Sequence, residues 1–118
     1  MRRVLFYTTA AGRCPVQEQL DDWPDKTVQK IAWVLRVVRD LDRVPAKYFE
    51  KLLNTEEIWE VRVHVGRSTF RILGFFAGPE LLVLTNSFQK KTQKTPQDEI
   101  RLAEQRRADY LMRRQQHG

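Results

Sequence analysis

The chain has 118 residues, of which 21 are Lys or Arg and 15 are Asp or Glu, for a formal net charge of +6. At roughly 100 to 200 residues per domain this is one domain with one core, which excludes separate binding and catalytic domains. Hydrophobic residues at 42% and charged residues at 31% fit a globular chain and exclude a disordered or fibrous one.

Residues 3 to 8, RVLFYT, are β-branched and aromatic and predict a first strand. The apolar part of this segment is only Val4 to Tyr7, too short for a signal peptide core, so a cytoplasmic location is expected. The lone cysteine, Cys14, can form no internal disulfide and agrees with a reducing compartment. Pro15 suits the first position of a short helix over Val16 to about Trp23. Val28, Ile31, Leu35, Val38 and Leu41 then recur at spacings of three and four, predicting an amphipathic helix from about Pro24 to Asp42. Residues 43 to 57 hold no period, contain Pro45, and read as a linker with a short turn.

Three strands follow in quick succession. Ile58 to Val65 alternates, with Trp59, Val61, Val63 and Val65 on one face and Glu60, Arg62 and His64 on the other. After a turn at Gly66 to Ser68 comes a more fully apolar strand, Thr69 to Ala77, interrupted by Arg71. Gly78 and Pro79 turn the chain into a third strand, Leu81 to Phe88. Such short connections require antiparallel pairing. Thr95 as N-cap and Pro96 at the first helical position, with Asp98 as a capping-box partner, start a final helix running to about Met112, and the RRQQHG tail is expected to fray. The predicted fold is α+β: a small, mainly antiparallel sheet with two N-terminal helices and one C-terminal helix.

The positive charge is unevenly placed. Between residues 62 and 94 stand Arg62, Arg67, Arg71, Lys90, Lys91 and Lys94, with Glu80 as the only acid. A basic run is often only a solvated face. Here it falls on strands and strand ends, which favours a binding surface for a polyanion. The longest nearly apolar run, Ile72 to Ala77, is far short of the roughly 20 residues that span a bilayer.

Most catalytic machinery is missing from the sequence. The five glycines form neither GxGxxG nor GxxxxGK. One Cys and two distant His cannot make a zinc site, and the carboxylates needed for a two-metal nuclease are not gathered near the basic stretch. No GxSxG elbow exists. What remains is chemistry on phosphate carried by Arg and Lys, with no metal and no cofactor. Guanidinium groups match phosphate oxygens and can stabilise charge developing on them. RNA supplies its own nucleophile, the 2′-hydroxyl. Glu60 and Arg62 can equally be surface cross-strand partners, and His64 an ordinary exposed strand residue. Arg71, a charge inside FRILGFF, demands a partner or a purpose. Phe88, beside Lys90 and Lys91, can be core or can stack on a base.

WEVR at 59 to 62, Gly66, FRILGF at 70 to 75, SFQKKTQKTP at 87 to 96 and the IRLAEQRRADY helix together resemble the phage-derived HigB-like toxins of the RelE superfamily, which belong to bacterial toxin-antitoxin systems. The resemblance is close over about residues 47 to 110. It implies a RelE-like sheet with packed helices, acting as an endoribonuclease on mRNA, commonly on the ribosome, without a metal or cofactor. It also implies neutralisation by a cognate antitoxin with a helix-turn-helix domain. By that analogy Arg62 and Arg71 hold or stabilise the scissile phosphate, and Lys90 assists proton transfer. Arg67, Phe88, Lys91 and Lys94 are then substrate contacts. The alternative is a non-catalytic phage-related module that binds RNA or protein.

Overall fold

In a computed structural model, which describes residues 1–91 and 94–117, the chain forms eight elements. They are β1 (Arg3–Phe6), α1 (Pro15–Asp22), α2 (Asp25–Asp40), β2 (Phe49–Lys51), β3 (Trp59–Val65), β4 (Ser68–Phe76), β5 (Leu81–Lys90) and α3 (Gln97–His117). The α+β class and the three predicted helices are as expected. The strands make one sheet in the order β1-β5-β4-β3-β2, antiparallel except where β1 runs parallel to β5. Thr92 and Gln93 of the lysine-rich segment, and Gly118 of the tail, lie outside the described residues.

Both faces of the sheet are covered, which is why β4 reads as an almost unbroken apolar run. On one face α1 and α2 bring Val16, Leu20, Ile31, Val34 and Val38 against Val61, Val63, Phe70, Ile72, Leu82 and Leu84. On the other, Ile100 and Ala103 of α3 pack with Tyr7, Ile58, Leu73, Phe75 and Val83. Arg2 ties the end of α2 to the sheet, donating from its guanidinium to the carbonyls of Val38, Leu41 and Asp42.

Two expectations are corrected. The segment 43 to 57 is not only linker: Phe49–Lys51 pairs antiparallel with β3, Phe49 opposite Val61 and Lys51 opposite Trp59. Three residues are too few to show a period, but the buried Phe49 ring stacks on Trp59 at 4.8 Å and 22°. The tail does not fray at Met112 either, since α3 continues to His117. Its last turns are pinned by contacts that no local pattern encodes. Tyr7 Oη donates to Asp109, Arg113 donates to Asp109 and to the Thr8 carbonyl, and Arg114 donates to the Ala77 carbonyl.

The turn between β3 and β4 is Gly66-Arg67. Gly66 has φ +60° and Arg67 does not share a positive φ, the type II′ arrangement that fits a two-residue hairpin. Between β4 and β5 the register slips: Leu73 faces Asn86 but Gly74 faces Leu84, leaving Thr85 as an extra residue. The Thr85 hydroxyl donates to the Leu73 carbonyl, and Arg106 of α3 donates to the Thr85 carbonyl, so the bulge is held from both sides. Because of it, Asn86, Phe88 and Lys90 face the α3 side of the sheet, whereas Leu82 and Leu84 face α1 and α2.

A side chain at Gly74 has no room, since a Cβ there would lie 2.5 Å from the Val83 carbonyl oxygen. Gly74→Ala is therefore expected to cost about 2 kcal/mol through overpacking, a Tm lower by about 8 °C for a domain of this size. Thermal unfolding followed by circular dichroism checks this, and an unchanged Tm would contradict the close contact.

Candidate functional site

α3 covers only part of its face of the sheet, and the chemistry-bearing residues lie beyond it, from the buried Glu60 and Arg71 to the more open Arg62 and His64. Pairing places Arg62 opposite Arg71, and Arg71 opposite Phe88, so these three form a row across β3, β4 and β5. One step nearer the Gly66 turn, His64 faces Thr69 and Thr69 faces Lys90. One step the other way, Glu60 faces Leu73 and Leu73 faces Asn86. Directly paired residues share a face, so three successive rows present Glu60, Arg62, His64, Arg71 and Lys90 together.

Glu60 organises this surface. It is 1% exposed, and its Oε1 accepts from Arg71 Nη1 and, at 3.0 Å, from Arg62 Nε. Its Oε2 accepts from the Thr95 hydroxyl. A carboxylate so deeply buried is tolerable only because it has charged and neutral donors on both oxygens. Arg62 is more open. Its Nη1 also meets Glu50 of β2 at 2.8 Å and donates to the Ala46 carbonyl at 3.1 Å. Burial works to lower the Arg62 pKa, but Glu60 and then Glu50 outweigh it, and the guanidinium ends above its ordinary value. In Arg71 burial prevails: only partly offset by Glu60 and reinforced by the charge of Arg62, it holds this guanidinium below its ordinary value. Arg71 Nε is buried and has no hydrogen-bond partner among the described residues.

Lys90 feels the same environment. Burial first, then the charge of Arg71, pushes its ammonium below the ordinary 10.5. A lysine lowered in this way costs stability while protonated in the fold. The cost is complete at neutral pH and fades as pH rises from the folded pKa to 10.5, where the unfolded chain also loses the proton. Lys90→Met is thus expected to raise Tm at pH 7, with a gain that shrinks toward pH 10.5. A gain independent of pH would show that packing, not charge, is responsible.

The other predicted site residues are spread around this centre. Phe88 joins the Arg62–Arg71 row and packs its ring against the α3 core. Arg67 is exposed at the hairpin tip. Lys91 and Lys94 are exposed on the segment between β5 and α3. The structure therefore brings Arg62, Arg71, Phe88 and Lys90 together and leaves Arg67, Lys91 and Lys94 at the periphery.

Reading Glu60 as a surface partner of Arg62 is corrected, because the carboxylate is 1% exposed, enclosed with Arg71 and with Thr95 of the segment leading into α3. Thr95 is corrected too: the helix begins at Gln97, and the Thr95 hydroxyl serves Glu60 rather than the N-cap. The signal available in sequence was the i, i+2 spacing of Glu60 and Arg62, which fixes a shared face but not burial. Glu50 was missed with its strand. Among the described residues no group of three or more His, Cys, Asp or Glu could hold a metal ion, and no helix is long and apolar enough to cross a membrane.

A family model described as "Phage derived protein Gp49-like (DUF891)" matches residues 18–108. The chain belongs to the Gp49-like family. The match begins within α1 and ends within α3, so it contains every residue of the basic face in this Gp49-like protein. The family is a RelE/toxin-like one, and the α+β architecture seen here agrees with that kinship. No curated protein matches the chain.

Proposed function

We propose that this Gp49-like protein is the toxin of a type II toxin-antitoxin system. In this reading it is a HigB-like, metal-independent endoribonuclease that cleaves mRNA and so inhibits translation in the cytoplasm. The observation that carries the reading is the pairing of Arg62 with Arg71 on one sheet face, both oriented by one buried carboxylate, with Lys90 one row away. Guanidiniums held this rigidly are suited to charge that develops on a phosphate during reaction, because little reorganisation is needed at that moment.

In the cleavage, the RNA 2′-oxygen bonds to phosphorus as the P–O5′ bond breaks, leaving a 2′,3′-cyclic phosphate and a 5′-hydroxyl. One proton leaves the 2′-hydroxyl and another reaches the departing oxygen. Lys90, with its lowered pKa, suits the second transfer, since a weaker ammonium gives up its proton more readily. Arg67, Phe88, Lys91 and Lys94 extend the contact along the message, which the ribosome presents. A cognate helix-turn-helix antitoxin silences the protein.

The test is induced expression of wild type and Arg71→Ala, with the variant's folding checked by circular dichroism. Wild type should arrest growth and cut translated messages, and the variant should do neither. Salt-sensitive RNA binding with every message intact would instead favour a non-catalytic RNA-binding module.

A further inference from the structure

A second concavity lies on the opposite face of the same sheet end, about 250 Å³ in volume and lined in part by Trp23, Pro24, Thr27, Ser68, Phe70 and Gln89. We infer that it is a binding pocket for a single nucleobase of the RNA strand whose phosphates cross the basic face. The inference deepens the RNA reading given above and rests on it for its choice of ligand.

Four observations converge. The volume falls slightly below the roughly 300 Å³ at which pockets for drug-sized ligands begin, and it suits one flat heterocycle. Trp23, half-buried and fixed edge-on against Phe70 at 4.8 Å, offers a rigid aromatic surface beside the ring of Pro24, and bases stack on such surfaces.

Thr27, only 5% exposed, sets a hydroxyl-bearing side chain in the wall of the cavity. Such a hydroxyl can donate or accept toward a ligand atom seated there. Gln89 and Ser68 bring an amide and a second hydroxyl, joined to each other by a contact of 3.3 Å that is long for a hydrogen bond. These groups are neutral and can both donate and accept, which matches the edge of a base and not a phosphate.

The fourth observation is connectivity. Gln89 precedes Lys90 on β5, Ser68 precedes Thr69 on β4, and Phe70 precedes Arg71, so each pocket residue on the sheet backs directly onto the basic face. Arg67, at the tip beside Ser68, stands where a strand would round the sheet end. A base flanking the scissile phosphate would thereby be read on the far side of the sheet, giving the nuclease a sequence preference.

The test uses the ¹⁵N-labelled full chain titrated with each of the four nucleoside 5′-monophosphates, with inorganic phosphate as the control. The expected result is base-dependent shifts of the Trp23 indole N–H, the Gln89 side-chain amide and the Ser68 amide, with none from inorganic phosphate. Thr27→Val, which keeps the shape of the side chain, and Gln89→Ala, at an exposed position, should each weaken that binding on the order of tenfold. Shifts confined to Arg62, Arg71 and Lys90, equal shifts from inorganic phosphate, or both variants binding as tightly as wild type would overturn the inference. Nucleotides seated in the pocket by a protein that cuts no message would leave the inference standing and sink the nuclease reading instead.

Discussion

Glu60→Ala should lose about 3 to 5 kcal/mol of folding stability, the range for removing one partner of a buried ion pair. Glu60 is 1% exposed and the Arg71 side chain 9%, so water cannot replace the missing carboxylate. The variant would retain two guanidiniums in directly paired positions with their shared acceptor gone, and the Thr95 hydroxyl would lose its acceptor as well. A domain of this kind has about 5 to 15 kcal/mol in all, so the loss approaches the whole for a marginal fold. Urea unfolding at neutral pH measures it. Glu60→Gln keeps the shape and one acceptor oxygen and should fall between Ala and wild type. An alanine variant within about 1 kcal/mol of wild type would mean that Glu60 is not the hub of this surface.

Arg71→Lys, by contrast, should fold nearly as well as wild type yet cleave message on the order of a hundredfold to a thousandfold more slowly, the effect of losing one donor to transition-state charge. Lysine retains the positive charge opposite Glu60 but replaces the planar fork with a point charge that can serve the carboxylate or the phosphate, not both in fixed geometry. Arg62→Lys should cost less, because Arg62 is more exposed and divides its donors among Glu60, Glu50 and the Ala46 carbonyl. Single-turnover cleavage of a translated message by the purified proteins gives the order. Equal rates for Arg71→Lys and wild type would remove Arg71 from the chemistry.

The parts of the fold that were legible in sequence are those with a period. The α2 stripe from Val28 to Leu41 and the alternation of β3 each run long enough to count, and the two-residue turn at Gly66 carries its own backbone signature. What was hidden depended on partners distant in the chain. β2 exists because Phe49 meets Trp59, and the last turns of α3 because Arg113 and Arg114 reach carbonyls 105 and 37 residues earlier.

The candidate site divides in the same way. Arg71 was conspicuous because a charge stood in an apolar strand. Glu60 was not, since an alternating polar position looks the same whether solvent or a helix covers it. Only the approach of the segment before α3, with Thr95 at 35 residues' separation, turns that position into a buried carboxylate. The pocket around Thr27 draws on α2, β4 and β5 at once, and no local pattern could announce it.

The extra residue at Thr85 has a wider meaning for how such a surface can change. Alternation has a period of two, so the parity of β5 decides which of its side chains meet substrate and which meet the core. Deleting Thr85 would leave Leu84 opposite Gly74 and Asn86 opposite Leu73 in unbroken alternation, so Phe88 and Lys90 would keep the α3 side; the bulge is what lets a strand one residue longer present the same groups. Substitutions can tune the strength of the site one group at a time, whereas a change of one residue in the length of this strand inverts the surface unless a bulge absorbs it.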